Sequence, residues 1–270
     1  MIQYPLVSII TPCLNRAAFI EAAILSLRSQ DYQPIEHIVI DGGSTDGTID
    51  ILKRYGDGLY WESDKGCGQA AALNRALSLV KGDIVGWLNS DDFYLPGAVR
   101  RAVEILEADA TLDLFYGTCL LVDAQGRDIG MHATRSFSLR RLIWYDPGYF
   151  TIQAMFFRRR VLEAVGGFDT SLRYALDYDW MIRAGKACRV RYVPECLGAF
   201  RRHEDATQGR DHQRAYYREV TEVSHRHGGA WFAPIRYHIM KRLPGAMSLM
   251  RLLLPAKLAL VRLGLAPSWL

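Results

Sequence analysis

The sequence predicts an α/β fold with a largely parallel sheet, on two observations. Short β-branched runs alternate with segments of helical hydrophobic period through the first half of the chain, and nearly every run ends in a cluster of Asp, Asn, Gly and Ser. The 270 residues, half of them hydrophobic and 23% charged, suffice for one large domain or two small ones, and the composition excludes disordered and collagen-like chains.

The elements follow in order. VSIIT (7–11) reads as a first strand, and Phe19, Ile20, Ala23, Ile24 and Leu27 then recur at helical spacing. HIVID (37–41) is a second strand, closed by GGSTDG and followed by a short helix through Ile49, Ile51, Leu52 and Tyr55. LYWES (59–63) is a weaker strand, GQAAALNRALSLV (68–80) a helix, and DIVGWLNSDD (83–92) a fourth strand ending in acids. Pro96 suits the first turn of a helix through AVRRAVEILEA. Beyond it, LDLFYG (112–117) and TCLLVD (118–123) read as two strands, with DAQGRD as a hairpin turn. QAMFFRRRVLEAV fits a strand or a helix start equally, LDYDWMIRAG is a short helix with acids in its first turn, and CRVRYVPE is a strand.

The polar clusters TPCLNR, DGGSTDG, ESDKG and NSDD therefore share one sheet edge, where open parallel sheets bind ligands. Neither a dinucleotide-binding glycine fingerprint nor a P-loop follows the first strand, which removes the main support for NAD or P-loop ATP binding. The five cysteines form no C-x-x-C pair, so a zinc ribbon or disulfide scaffold is not expected and reduced thiols in a cytoplasmic setting fit best. The apolar run of MIQYPLVSIITP is short and ends in Thr-Pro, as a first strand would rather than a signal peptide.

Charge divides the chain. From residue 223 onward there are seven Lys/Arg and no Asp or Glu, which leaves residues 1–222 at −3 within a total of +4. The Leu-rich stretch 235–265 is broken by Pro244, Pro255 and cations, so it is not a spanning helix. With Trp231 and Trp269 nearby it fits an amphipathic segment on an anionic membrane surface; packing on the protein body or on a second copy is the other reading. Nucleic-acid binding is not expected, because the cations alternate with Leu rather than with exposed aromatics.

The acids carry the chemistry. Asp91 and Asp92 are adjacent after an apolar strand, a costly arrangement unless a divalent cation or hydrogen-bond donors compensate; helix capping by one of them is the alternative. Asp41 precedes GGST and reads either as a contact to a base or ribose or as an Asx-turn, and Asp46 as a helix cap. Asp177 and Asp179 diverge by about 200° on a helix, so one of the two at most faces a site. A carboxylate beside Tyr178 and Trp180 suits a general base, although charge at a helix N-terminus explains the same acids. His203, among Arg201, Arg202, Glu204 and Asp205, is a metal ligand or a solvated surface residue.

Taken together, VSIITPCLNR, IVIDGGSTDGT, WESDKGCGQAAALNRAL, GDIVGWLNSDDFYLPGA, GGFDTSLRYALDYDWMIR and FRRHEDAT resemble, in order and spacing, the family 2 glycosyltransferases. The likeness runs from about residue 5 to 210. It implies a single A-type glycosyltransferase domain over 1–222, with a Rossmann-like nucleotide-sugar half to about 117 and an acceptor half over 118–222, followed by a basic tail over 223–270. It implies nucleotide-sugar contacts at Thr11, Pro12, Asp41, Asp64 and Asp91, a divalent metal (Mn²⁺ or Mg²⁺) on Asp92 and His203, and Asp177 as catalytic base, with Leu176 where the family usually has Glu. The implied reaction is an inverting transfer of one sugar, UDP-linked by family habit, since the signature of processive synthases is missing. The implied partners are a nucleotide-sugar donor, a glycan or lipid-linked acceptor, the inner membrane surface and a possible second copy of the chain. A sugar-1-phosphate nucleotidyltransferase would need a glycine-rich N-terminal segment with a following cation, which this chain lacks; a non-catalytic binding module stays open because of Leu176.

Overall fold

The computed structural model describes residues 4–144, 146–203 and 213–229. The basic stretch 235–265, with its expected membrane and dimer contacts, lies outside the described residues. The first half alternates as expected: β1 (Val7–Cys13), α1 (Ile20–Arg28), β2 (Ile35–Asp41), α2 (Thr48–Arg54), β3 (Tyr60–Ser63), α3 (Gln69–Leu79) and β4 (Ile84–Trp87). Then come β5 (Phe93–Tyr94), α4 (Ala98–Glu107), β6 (Leu114–Val122), β7 (Asp128–Met131), α5 (Leu139–Trp144), β8 (Met155–Arg158), α6 (Arg160–Val165), α7 (Leu176–Ala187), β9 (Val190–Arg201) and α8 (Gln213–Arg226).

Among the described residues one sheet runs β3-β2-β1-β4-β8-β6-β9-β5, with β7 paired to the outer part of β6. β3, β2, β1 and β4 are mutually parallel, whereas β8 enters antiparallel between β4 and β6. The parallel half brings four strand C-termini to one edge, and the mixed half closes the sheet beyond it.

Alternation along the central strands supplies both layers of the core. Ile38 and Ile40 of β2, Leu114 and Tyr116 of β6, and Phe157 of β8 face α3 and α7, where Leu73, Trp180 and Met181 meet them. Phe115 and Phe156 face the other way onto α4, whose Val99, Ala102 and Leu106 form one apolar stripe. Val39 packs under α1 and α2 against Ile20, Ile24 and Leu52.

Several sequence readings change. The two strands expected over 112–123 are one continuous strand, β6, which carries register shifts between Tyr116 and Cys119 because Gly117 lets Glu195 of β9 come close: a Cβ there would sit 2.5 Å from the Glu195 carbonyl oxygen. The strand expected over 83–92 stops at Trp87, and the acids stand on a loop before β5. Pro96 precedes α4, which begins after Gly97 in a left-handed conformation. The segment 153–165, which the sequence leaves open between strand and helix start, is strand and then helix, β8 and α6. α8 continues past 222 to Arg226, so the expected boundary between domain and tail falls inside a helix. The hairpin turn is as expected, with Gly126 at φ 82° and the Asp123 amide donating to the Arg127 carbonyl.

Candidate active site

The crevice is built from loops that follow the strands of the parallel half. After β2, Asp41 is fully buried, and its Oδ2 accepts hydrogen bonds from the Gly43 and Ser44 amides (both 2.9 Å) and from Ser63 Oγ (2.6 Å), while Oδ1 accepts from Ser44 Oγ. Four bonds nearly exhaust a carboxylate's acceptor capacity, so Asp41 is the organiser of its own loop, as the Asx-turn reading has it. Gly43, at φ +90°, is required: a Cβ there would lie 2.8 Å from Lys65 Cα, so only glycine lets the loops after β2 and β3 meet. Asp46 ties the neighbouring loop, accepting from Thr48 (amide 3.0 Å, hydroxyl 2.6 Å) and from the Ala17 amide at 2.9 Å.

Thr11 and Pro12 sit inside β1 and are buried. The Thr11 hydroxyl is spent on His37 Nε2 at 2.9 Å, a histidine whose burial pulls its pKa down to about 3 and keeps it neutral. The exposed part of this loop comes two residues later, at Leu14 and Asn15. Asn15 adopts φ 52°, and its Oδ1 accepts from the Thr45 amide at 2.9 Å, which fastens the first loop to the second. Asp64 is exposed at the end of β3, on the same edge.

The acidic pair divides sharply. Asp92 is buried, with Oδ1 accepting from the Arg201 amide (2.9 Å) and Oδ2 from Gln153 Nε2 (2.8 Å) and Asn89 Nδ2 (3.2 Å). Burial and the charge of Asp91 push its carboxyl well above the usual range, and the three donors oppose them. Asp91 is the acid beside the histidine: its Oδ2 lies 3.1 Å from His203 Nε2 and 3.3 Å from Arg16 Nε. Burial alone would raise the Asp91 carboxyl, but the His203 hydrogen bond and the Arg16 charge outweigh it and hold it below its ordinary value. The two acids thus differ in their partners. Asp92 is the tether, and Asp91 with His203 is the pair placed to share an ion.

Residues outside the sequence argument hold that pair. Arg201 is buried, donates from Nε to the Asp91 carbonyl at 2.9 Å and from a terminal nitrogen to the Ala124 carbonyl at 2.9 Å, and lies over the rings of Phe19 (5.2 Å) and Phe93 (5.4 Å). Phe19 also packs under His203, ring centroids 4.5 Å apart. Arg16 and Asn15 stood in the quoted TPCLNR string without a role, and Gln153 lay in a segment whose state the sequence left open.

A carboxylate oxygen and an imidazole nitrogen 3.1 Å apart are separated as two neighbouring ligands of one ion about 2.1 Å from each would be. The His203 Nδ1 is buried and has no partner among the described residues. No group of three or more His, Cys, Asp or Glu that could hold a metal occurs among the described residues, so this pair by itself would offer an ion two ligands.

α7 settles the second pair. Asp179 is buried, accepting from Arg183 Nε at 2.8 Å and facing His227 Nε2 at 3.0 Å. Asp177, half-buried, meets no cation among the described residues; its side chain accepts from the following Tyr178 amide at 2.8 Å, and burial raises its pKa to about 6. Of the two, Asp177 has the properties of a base working near neutrality.

The mixed sheet, with its parallel β3-β2-β1-β4 half and antiparallel β8, is that of an A-type glycosyltransferase domain. The sequence profile of Glycosyl transferase family 2 matches residues 8–166, and the chain belongs to that family. It is 32% identical over 194 residues to an uncharacterised glycosyltransferase of Mycobacterium tuberculosis, covering 70% of this chain and 72% of the relative. A PGL/p-HBAD biosynthesis glycosyltransferase of Mycobacterium bovis is 31% identical over 203 residues, 73% of this chain and 77% of that one. Among solved structures, S. aureus TarS 1-349 in complex with UDP-GlcNAc superposes with a TM-score of 0.66 at 20% identity, covering 82% of this chain and 66% of that one. The mannosyltransferase PcManGT from Pyrobaculum calidifontis, in complex with GDP-Man and Mn²⁺, gives 0.62 at 24% identity over 96% and 76%. This chain spans 39% of the longer TarS chain.

The two acids of the first pair should separate experimentally. Asp91→Ala should leave the melting temperature close to wild type. Asp92→Ala strands three buried donors, which costs about 2–4 kcal/mol and lowers the melting temperature by roughly 5–15 °C. Calorimetry of the two variants checks this; equal melting temperatures would remove the tether role.

Proposed function

We propose that this glycosyltransferase transfers one sugar from a nucleotide sugar to an acceptor hydroxyl with inversion at the anomeric carbon, in the synthesis of a cell-surface or lipid-linked glycan. The observation that carries it is Asp177, an unpaired carboxylate of raised pKa in a chain whose family transfers sugars. Asp177 accepts the proton of the acceptor hydroxyl as its oxygen bonds to the anomeric carbon, and the bond from that carbon to the nucleoside diphosphate breaks on the opposite face. The neighbouring carboxylate, Asp179, is committed to Arg183 and His227 and is not available as a second nucleophile, which favours a single displacement over a covalent intermediate.

Asp91 and His203 would hold a divalent cation, and the mixed oxygen and nitrogen set suits Mn²⁺ better than Mg²⁺. When bound, such an ion supplies charge neutralisation for the departing diphosphate. Arg16, against Asp91, adds a fixed positive charge at the same place. The loop organised by Asp41, with Leu14, Asn15 and Asp64 around it, would receive the nucleoside, uridine being favoured because the TarS complex holds UDP-GlcNAc. No helix among the described residues is long and apolar enough to cross a membrane. The basic stretch beyond them is what we propose rests on the inner face of the cell membrane, from the cytoplasmic side, to bring a lipid-linked acceptor to Asp177; a homodimer through it is the second use.

Two experiments test this. UDP, GDP, dTDP and CDP at about 100 times their Kd, each with Mn²⁺, Mg²⁺ or chelator, should yield one metal-dependent stabilisation of about 3 kcal/mol, on the order of 5–10 °C in melting temperature. Asp91→Ala and His203→Ala should lose it. A folded protein that no nucleotide stabilises would instead be a non-catalytic module.

The second experiment uses the pH dependence of Asp177. An acid with a folded pKa of about 6 and an ordinary value of 3.8 destabilises the fold as pH rises through that interval, by on the order of 2–3 kcal/mol above it. Asp177→Asn should therefore melt higher than wild type at pH 7.5, lose that advantage below about pH 4, and lack transfer. In the wild type, transfer should fall about tenfold per unit below pH 6. Normal turnover by Asp177→Asn would end its assignment as base.

A further inference from the structure

Among the described residues Asp177 meets no side chain that would orient it: its carboxylate accepts from the amide of the very next residue. Its position is therefore set by the backbone entering α7, and the residues there, Arg173, Tyr174 and Ala175, end in a helix start without a side-chain cap of its own. The cap comes from another helix. Glu219 of α8 accepts from three successive amides, those of Tyr174 (2.7 Å) and Ala175 (3.0 Å) at Oε2 and that of Arg173 at Oε2 (3.1 Å) and Oε1 (3.2 Å).

α8 has little freedom to follow a moving loop. Val220 and Val223 are fully buried in the core, Ser224 Oγ donates to the Ile143 carbonyl at 2.7 Å, and His227, just past the helix, faces Asp179 one turn along α7. α7 is thus gripped at Asp179 by His227 and at its entrance by Glu219, with Asp177 between the two grips. The other titratable neighbours are Tyr216, one turn earlier on α8 and held protonated by burial and by the Asp177 charge, and Asp146 close to Tyr216.

We propose that Glu219 is the positioning residue of the catalytic base, fixing the first turn of α7 so that Asp177 is held away from water. The role rests on the reading of Asp177 as base. Glu219 touches neither substrate nor the reacting atoms; it works through three backbone amides. The Ala175 and Leu176 side chains, both buried, are what the pinned loop keeps against the core, and they are what would let water reach Asp177 if the loop came free.

The test reads the Asp177 carboxyl directly, with no substrate, by ¹³C NMR titration of the full chain labelled at aspartate Cγ, the resonance being assigned by its absence in Asp177→Asn. The wild-type midpoint is expected near 6. In Glu219→Ala the entry of water lowers it, and a fall of about one unit or more toward 3.8 is expected. Glu219→Asp, one methylene shorter and still charged, should shift it in the same direction by less, and decides the matter if the alanine variant does not fold. Glu222→Ala, exposed on the same helix, should leave it unmoved.

Binding of Mn²⁺ with UDP, followed by the electron resonance of the ion, should survive in the Glu219 variants. An unmoved Asp177 midpoint in folded Glu219→Ala, or in Glu219→Asp should the alanine variant not fold, would overturn the proposal. So would a parallel loss of Mn²⁺ and UDP binding, which would mean general collapse. Turnover by Asp177→Asn is a separate result: it would end the base assignment and leave the titration response of the Glu219 variants standing as the measure of positioning.

Discussion

The arrangement of the site depends on one buried carboxylate. Asp92 draws together Asn89 from its own loop, Gln153 from the turn before β8 and the Arg201 amide at the end of β9, three points spread over more than a hundred residues of chain. A carboxylate removed from water must find donors or become neutral, and here the donors come from exactly the segments that have to converge. Once Asp92 is satisfied, Asp91 is turned outward by chain geometry, and the end of β9 is drawn in so that His203, two residues on, arrives at Asp91. Arg201 completes the joint by taking the Asp91 carbonyl while its guanidinium lies over Phe19, the ring that also supports His203.

The same division of labour appears twice. In each pair of acids, one is buried and saturated and its neighbour is left with capacity for chemistry: Asp92 anchors and Asp91 faces His203, Asp179 is held by Arg183 and His227 while Asp177 stays unpaired. The environments then push the carboxyls apart. Cations lower Asp91, which suits a group that must remain ionised, and burial without a cation raises Asp177, which suits a group that must accept and release a proton near neutral pH. Chemically identical side chains one or two residues apart acquire different functions because a helix or a loop turns them to different surroundings.

Much of this was legible in the sequence. The β-branched runs and the turn-rich strings after them located β1 to β4 and the edge at which their loops meet, because hydrophobic period and turn chemistry are local properties. Which of two adjacent acids faces the crevice is a long-range property: it depends on Gln153 and Arg201, and no local spacing near residue 91 refers to either. The Thr11 hydroxyl is a related case, since nothing near residue 11 in the sequence shows that the partner strand supplies His37 to it. Gly117 hid the continuity of β6, because a glycine inside an apolar run reads as a break when it is in fact the place where β9 approaches.

The proposed two-residue metal pair also has a physical logic. Three carboxylates crowded around an empty cation site would repel one another, and the fold would have to offset that repulsion whenever the ion was away. One carboxylate and one neutral-capable imidazole avoid it, and Arg16 already balances the single charge of Asp91. The cost is affinity for the bare ion, since two protein ligands leave most of a divalent cation's coordination to other groups. A diphosphate supplies those oxygens and the opposite charge together. On the proposed reading, ion and nucleotide would complete each other's site, and the chain would not hold tightly a cation that has no phosphate to act on.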